Sequence, residues 1–158
     1  PVAHRRVARQ YIRLGILDRA ADYLTAALRM DSRDAAAYEL RARLWRDAGL
    51  LGEALGDAYR AVYFGGSASS QNTLGTILHY LNHHASARER YRLALKLDSS
   101  AFYAVANLCA VALDDGDTSL TIETCSRVIQ MAPGLAPHAL NLRAATALEA
   151  QPKRYPIP

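Results

Sequence analysis

The stretch Ala87-Arg-Glu-Arg-Tyr91-Arg-Leu-Ala94-Leu95-Lys-Leu97-Asp98-Ser99 decides the reading of this chain. The same ending stands 67 residues earlier, as Ala20 … Leu24 … Ala27-Leu28-Arg-Met30-Asp31-Ser32. Between the two lies Ala54 … Ala58 … Ala61-Val62-Tyr-Phe64, and after them Cys125 … Val128-Ile129-Gln-Met131-Ala-Pro133. A repeat of 33–34 residues points to stacked helical hairpins, each too small to bury its apolar face without a neighbour.

Numbering repeat positions from residue 1 gives repeats at about 1–34, 35–67, 68–101 and 102–136. Position 8 reads Ala8, Ala42, Gly75, Cys109; position 20 reads Ala20, Ala54, Ala87, Thr121; position 27 reads Ala27, Ala61, Ala94, Val128. Small side chains at a helix crossing let the two axes approach at the short end of the ~8–10 Å range. Larger columns are expected to fill the space around that crossing: Tyr11, Trp45, Leu78, Ala112 at position 11, Leu28, Val62, Leu95, Ile129 at 28, and Met30, Phe64, Leu97, Met131 at 30. Position 15 reads Gly15, Gly49, Asn82, Gly116. There the first helix must stop in a left-handed residue, which glycine adopts freely and asparagine tolerates best among the others. Asp-Ser pairs close repeats one and three, Gly65-Gly66-Ser67 closes repeat two, and Ala132-Pro133 closes repeat four, all of it turn and helix-capping chemistry. A further first helix is expected over 137–150, followed by a proline-punctuated tail at 151–158.

These columns resemble the tetratricopeptide repeat: small residues at 8, 20 and 27, an aromatic or leucine at 11 and 24, glycine at 15 and proline at 32. The resemblance covers nearly the whole chain, about residues 3–150. It departs from the pattern at position 7, where Arg41 stands among Val7, Leu74 and Leu108, and only Pro133 keeps the proline. The fold implied is an all-α, right-handed α-solenoid of antiparallel helix pairs forming a single domain over 1–150.

Composition agrees with a folded, non-membrane chain. It is 51% hydrophobic and 22% charged, with net charge +4. Arginine outnumbers lysine 17 to 2, interleaved with 15 acidic residues, which reads as bacterial-like base composition rather than a polybasic segment. No apolar run approaches the ~18 residues of a membrane helix. A cytoplasmic location is favoured on that ground; Pro1 is not a natural start, so the chain reads as excised from a longer one whose flanks are missing. Cys109 and Cys125 fall on opposite helices of one hairpin. Reduced core packing is the favoured reading, with a disulfide or a reactive thiol as the alternatives.

There is no nucleophile elbow, phosphate-binding glycine loop or Cys-x-x-Cys pair. His79 and His83 share a helix face but lack an acidic ligand, and Asp114-Asp115-Gly116-Asp117 lacks the remaining oxygens of a calcium loop. No metal, no cofactor and no enzymatic activity are expected.

In solenoids of the resembled family, positions 2, 5, 6, 9, 12 and 13 of the first helices line a concave groove. Carried over, the groove residues are Arg5, Arg9, Arg13 and Arg43 at a basic end, then Asn72, Thr76, His79, Tyr80, Tyr103 and Asn107. Asn107 stands where some family members hold a ligand backbone through the amide, which offers both a donor and an acceptor. The expected function is a scaffold or adaptor that binds a protein segment, peptide or helix, of acidic character. Self-association through the last helix is a further possibility. The alternatives are a nucleic-acid-binding helical repeat, the weaker reading because such repeats lack the small columns, and a repeat module of a larger enzyme.

Overall fold

The computed structural model describes residues 1–133. Among the described residues eight helices follow one another: α1 Val2–Arg13, α2 Leu17–Met30, α3 Ala35–Asp47, α4 Leu51–Phe64, α5 Ala68–Tyr80, α6 His84–Leu97, α7 Phe102–Asp114 and α8 Thr118–Met131. The described residues contain no strand. They fall into two compact units, the first Pro1–Leu97 and the second beginning at Asp98. The expected last helix at 137–150 and the tail at 151–158 lie outside the described residues, as does any self-association through them.

In the first unit α1 packs on α2, α3 on α4 and α5 on α6; α2 then meets α3, and α4 meets α5. The second unit contains the hairpin α7–α8. The small columns explain this pairing. Ala8, Ala20, Ala27, Ala42, Ala54, Ala61, Ala87, Ala94, Cys109 and Val128 are all wholly buried, and Thr121 is nearly so. Each hairpin turns where position 15 requires it: Gly15, Gly49, Asn82 and Gly116 have φ of 72°, 79°, 60° and 70°. Only glycine takes that left-handed geometry without a Cβ penalty, and Asn82 is the single other residue with positive φ among those described.

Three expectations need correction. Position 30 is not core in three of the four hairpins: Met30, Leu97 and Met131 are 61%, 58% and 38% exposed, while Phe64 is half-buried against Tyr38. Each is the terminal residue of its helix, where the chain leaves for the next hairpin. The Asp-Ser pairs do not cap the following helices. Asp31 and Asp98 instead close local turns, accepting from the backbone N–H of Arg33 and Ser100 at 2.9 Å each. The caps that form are Asp34 on Ala37, Ser67 on Ser70 and Asp117 on Leu120. Finally, the cysteines are not reduced. Cys109 and Cys125 form a disulfide between α7 and α8, with Cα atoms 5.1 Å apart, within the usual span of such a bridge.

Position 7 of the second hairpin also has a physical account. Arg41 gives Nε and Nη2 to the two oxygens of Asp57 at 2.6 and 3.0 Å, and Nη1 to Thr25 at 3.1 Å. Asp57 is 2% exposed. The half-buried arginine is held there by a buried carboxylate on α4 that faces it in bidentate geometry.

Candidate functional site

The first helices of the first unit, α1, α3 and α5, present the residues expected to bind. Two clefts lie along them. One, of about 280 Å³, is bounded by Arg9, Ile12 and Arg13 of α1, Leu17 of α2, and Leu40, Arg43, Leu44 and Asp47 of α3. The other, of about 200 Å³, is bounded by Arg9, Ala36, Glu39, Leu40, Arg43 and Ser69. They share Arg9, Leu40 and Arg43. Arg9 and Arg43 occupy position 9 of successive repeats. Stacking the hairpins therefore brings them to one place, and Arg13 follows Arg9 by four residues on the same helix face.

The charges here are unequally committed. Asp47 receives both Nε and Nη2 of its neighbour Arg46, at 2.8 and 2.6 Å. Glu39 accepts from the hydroxyls of Ser69 and Thr73 on α5. Arg9, Arg13 and Arg43 are exposed and form no ion pair among the described residues. Three guanidiniums are thus open to solvent beside an apolar floor of Ile12, Leu40 and Leu44. A guanidinium offers a fixed fork of donors to a carboxylate.

Arg5 is placed differently from its neighbours. It is half-buried and ion-paired to Asp34, the residue that caps α3. Its charge is spent joining α1 to the start of α3. On α5, Thr76 donates to the Asn72 carbonyl at 2.9 Å, the His79 ring meets His84 edge-on at 5.1 Å, and Tyr80 is 63% exposed. Tyr103 and Asn107 lie on α7 in the second unit; Tyr103 meets Phe102 edge-on at 6.0 Å. Among the described residues no group of three metal-ligating side chains occurs.

Leu17 and Leu44 contribute to the first cleft although the first-helix positions did not single them out. Leu17 begins α2, just past the turn, and its place beside Arg13 follows from the tightness of the Gly15 turn.

The tetratricopeptide repeat family model matches residues 8–73, which span both clefts and the hairpins that carry them. Over residues 8–73 the chain carries tetratricopeptide repeats. No curated protein matches the sequence. Solved tetratricopeptide structures resemble it over most of its length. MamA is 19% identical, with 90% of this chain and 84% of that one covered and a TM-score of 0.81. YrrB, a TPR protein with an unusual peptide-binding site, is 21% identical, covering 92% and 76%, with a TM-score of 0.75. PilF of Pseudomonas aeruginosa is 19% identical, covering 93% and 68%, with a TM-score of 0.86. At these identities the likeness establishes the fold, an all-α helical-repeat solenoid. That fold is consistent with a protein–protein interaction scaffold. No described helix is long and apolar enough to cross a membrane.

Proposed function

We propose that this chain is a non-catalytic scaffold that holds an acidic peptide along α1, α3 and α5, with Arg9, Arg13 and Arg43 as its grip. The observation that carries the reading is the set of three uncommitted guanidiniums around two adjoining clefts with an apolar floor. A peptide lying there would give its carboxylates to the arginine forks and its apolar side chains to Ile12 and Leu40. Arg5 takes no part, because Asp34 already holds it. YrrB supports the class of ligand, since its name records a peptide-binding site on the same fold.

The experiment is a peptide-array screen followed by titration of the best binders. Peptides rich in Asp or Glu should be enriched. Arg9→Glu and Arg43→Glu should each weaken binding at least tenfold, and binding should fall as salt rises. Enrichment blind to charge, or affinity unchanged by both reversals, would overturn the proposal.

The disulfide bears on where the scaffold works. Such bonds persist in oxidising compartments and are rare where thiols are kept reduced. A bridge buried inside α7–α8 therefore favours an oxidising compartment over the cytoplasmic location expected from composition. Mass spectrometry of the chain unfolded in denaturant and alkylated without reductant should show the two cysteines protected; full alkylation would restore the cytoplasmic reading.

A further inference from the structure

The second hairpin carries an aromatic cavity that shares no residue with the arginine clefts. It measures about 510 Å³ and is lined by Tyr38 at the start of α3 and by Tyr59, Arg60, Val62, Tyr63 and Phe64 at the end of α4. Phe64 stacks on Tyr38 with centroids 5.9 Å apart and an 18° tilt, and meets Tyr63 edge-on at 5.1 Å and 77°. The rings form a right-angled corner.

The repeat does not require this corner. Position 25 reads Thr25, Tyr59, Arg92, Ser126, and position 29 reads Arg29, Tyr63, Lys96, Gln130. Three hairpins keep polar side chains at both places, as outward positions of a second helix should. The second hairpin alone puts tyrosines there, and leaves Tyr59 47% and Tyr63 83% exposed. Packing gains little from an aromatic ring so exposed, whereas aromatic residues in a shallow depression are what extended peptides dock on.

Charge narrows the guest. Arg60 and Arg41 lie over the Tyr38 ring at 5.8 and 5.9 Å, and Arg33 lies over Phe64 at 5.9 Å. One carboxylate, Asp57, serves two of these cations: Arg41 takes it in bidentate fashion and Arg60 reaches it at 3.3 Å. Arg33 has no carboxylate partner among the described residues. The floor is apolar and the rim is positive. A cationic guest, the usual occupant of an aromatic cage, would face like charge and rings already covered by guanidinium. Carboxylates beside an apolar anchor would find Arg33 and Arg60. Proline suits the anchor: its ring can lie on the exposed rings of Tyr59 and Tyr63, over which no described guanidinium lies, and its preformed extended helix costs little entropy to bind. The hydroxyls of Tyr59 and Tyr63 can donate to the peptide's carbonyls.

We propose that the Tyr38–Tyr59–Tyr63–Phe64 corner is a second docking site, for an extended proline-containing peptide with acidic residues flanking the proline. The probes are three fluorescein-labelled ten-residue peptides, read by anisotropy against the intact chain: a four-proline core with glutamate flanks, the same core with lysine flanks, and a four-alanine core with glutamate flanks. The first should bind at least tenfold more tightly than the other two. Tyr63→Ala and Arg33→Glu, both at exposed side chains, should each weaken it at least tenfold while the helical circular-dichroism signal stays unchanged. Arg9→Glu should leave it intact. Equal binding of the alanine-core peptide, equal binding of the lysine-flanked peptide, or no binding at millimolar protein would overturn the proposal. So would loss on Arg9→Glu with Tyr63→Ala silent, which would place the peptide in the arginine clefts. Sedimentation showing a dimer that Tyr63→Ala dissolves would assign the corner to a second copy of the chain instead.

Discussion

The third and fourth hairpins fill the same crossing in opposite ways. Repeat positions 8 and 24 face each other there, 16 residues apart in every copy. The third hairpin puts Gly75 opposite Tyr91, and the fourth puts Cys109 opposite Cys125. A Cβ on Gly75 would stand 2.7 Å from Tyr91 Cε1 and 2.9 Å from Cδ1. The glycine is therefore the room the tyrosine ring occupies, and Tyr91 is wholly buried. In the fourth hairpin two equal, medium side chains meet and are joined covalently. The first hairpin offers the plain version, Ala8 against Leu24, both fully buried. One backbone geometry thus accepts small–large, void–ring and covalent pairs and, at Ala42 and Ala58 of the second hairpin, two small residues, all of them buried. The second hairpin extends the pattern by one position: at 7 and 23, also 16 apart, the pair is Arg41 and Asp57.

The largest effect should come from that polar pair. Asp57→Ala leaves the half-buried Arg41 beside Thr25 without its carboxylate, and should cost ~3–5 kcal/mol. If the pair is a matched substitute for an apolar one, Arg41→Leu combined with Asp57→Ala should recover most of the loss. Urea denaturation of the two single variants and the double variant measures this coupling; strict additivity would mean the two residues are not a unit.

Next comes the bridge. Cys109→Ala with Cys125→Ala opens a loop whose ends are 16 residues apart, and chain-entropy arithmetic puts the loss at about 3 kcal/mol. Cys109→Ala with Cys125→Leu copies the Ala8–Leu24 pair and should lose less, because leucine refills the crossing. Thermal melting under non-reducing conditions compares them. Equal midpoints would mean that the fourth crossing cannot accept the first hairpin's solution.

The third crossing should break more gently. Gly75→Ala forces the Tyr91 ring aside and should cost ~1–3 kcal/mol. Adding Tyr91→Leu should recover stability, since the pair then again copies Ala8–Leu24. A double variant less stable than Gly75→Ala alone would show that the ring's own burial outweighs the clash.

How much of this could be read from the chain follows from which interactions are local. The turns at Gly15, Gly49, Asn82 and Gly116 were legible because a left-handed residue is a property of one position. The alanine columns were legible because a repeat states its crossing several times. The disulfide was readable in principle, since both cysteines stand in columns that face each other, but one pair of thiols in such columns is also ordinary core packing. The fate of each arginine was not readable. Arg5 and Arg9 share a helix and a face, yet Arg5 meets Asp34, 29 residues on, while Arg9 forms no ion pair among the described residues. Likewise Tyr63 reads as one aromatic among nine tyrosines until α3 and α4 bring Tyr38 and Phe64 beside it. Pairings across hairpins depend on side-chain reach, which periodicity does not encode.

The smallest expected effect lies in the hydroxyl that the third crossing buries. Tyr91 has no well-formed hydrogen bond at its oxygen; the Thr76 hydroxyl nearby donates to the Asn72 carbonyl at 2.9 Å. Desolvation raises its pKa from 10.0 to about 12, against smaller lowering influences from Thr76 and Arg46. A folded-state pKa above the unfolded one means that the unfolded chain sheds this proton first. The folded state therefore loses ground from about pH 10 upward, by about 1 kcal/mol at pH 11, and the loss levels off once pH passes the folded value. Below pH 10 both states are protonated and the group contributes no pH dependence. Tyr91→Phe removes the ionisation but keeps the ring over Gly75. The variant should match the parent near pH 8 to within about 1 kcal/mol, because little hydrogen bonding is lost. It should become the more stable of the two by pH 11. Denaturation midpoints of both proteins at pH 8 and pH 11 decide the matter: parallel declines would show that the tyrosine's oxygen reaches solvent, and that the third crossing is less tightly closed than the bridge-sealed fourth.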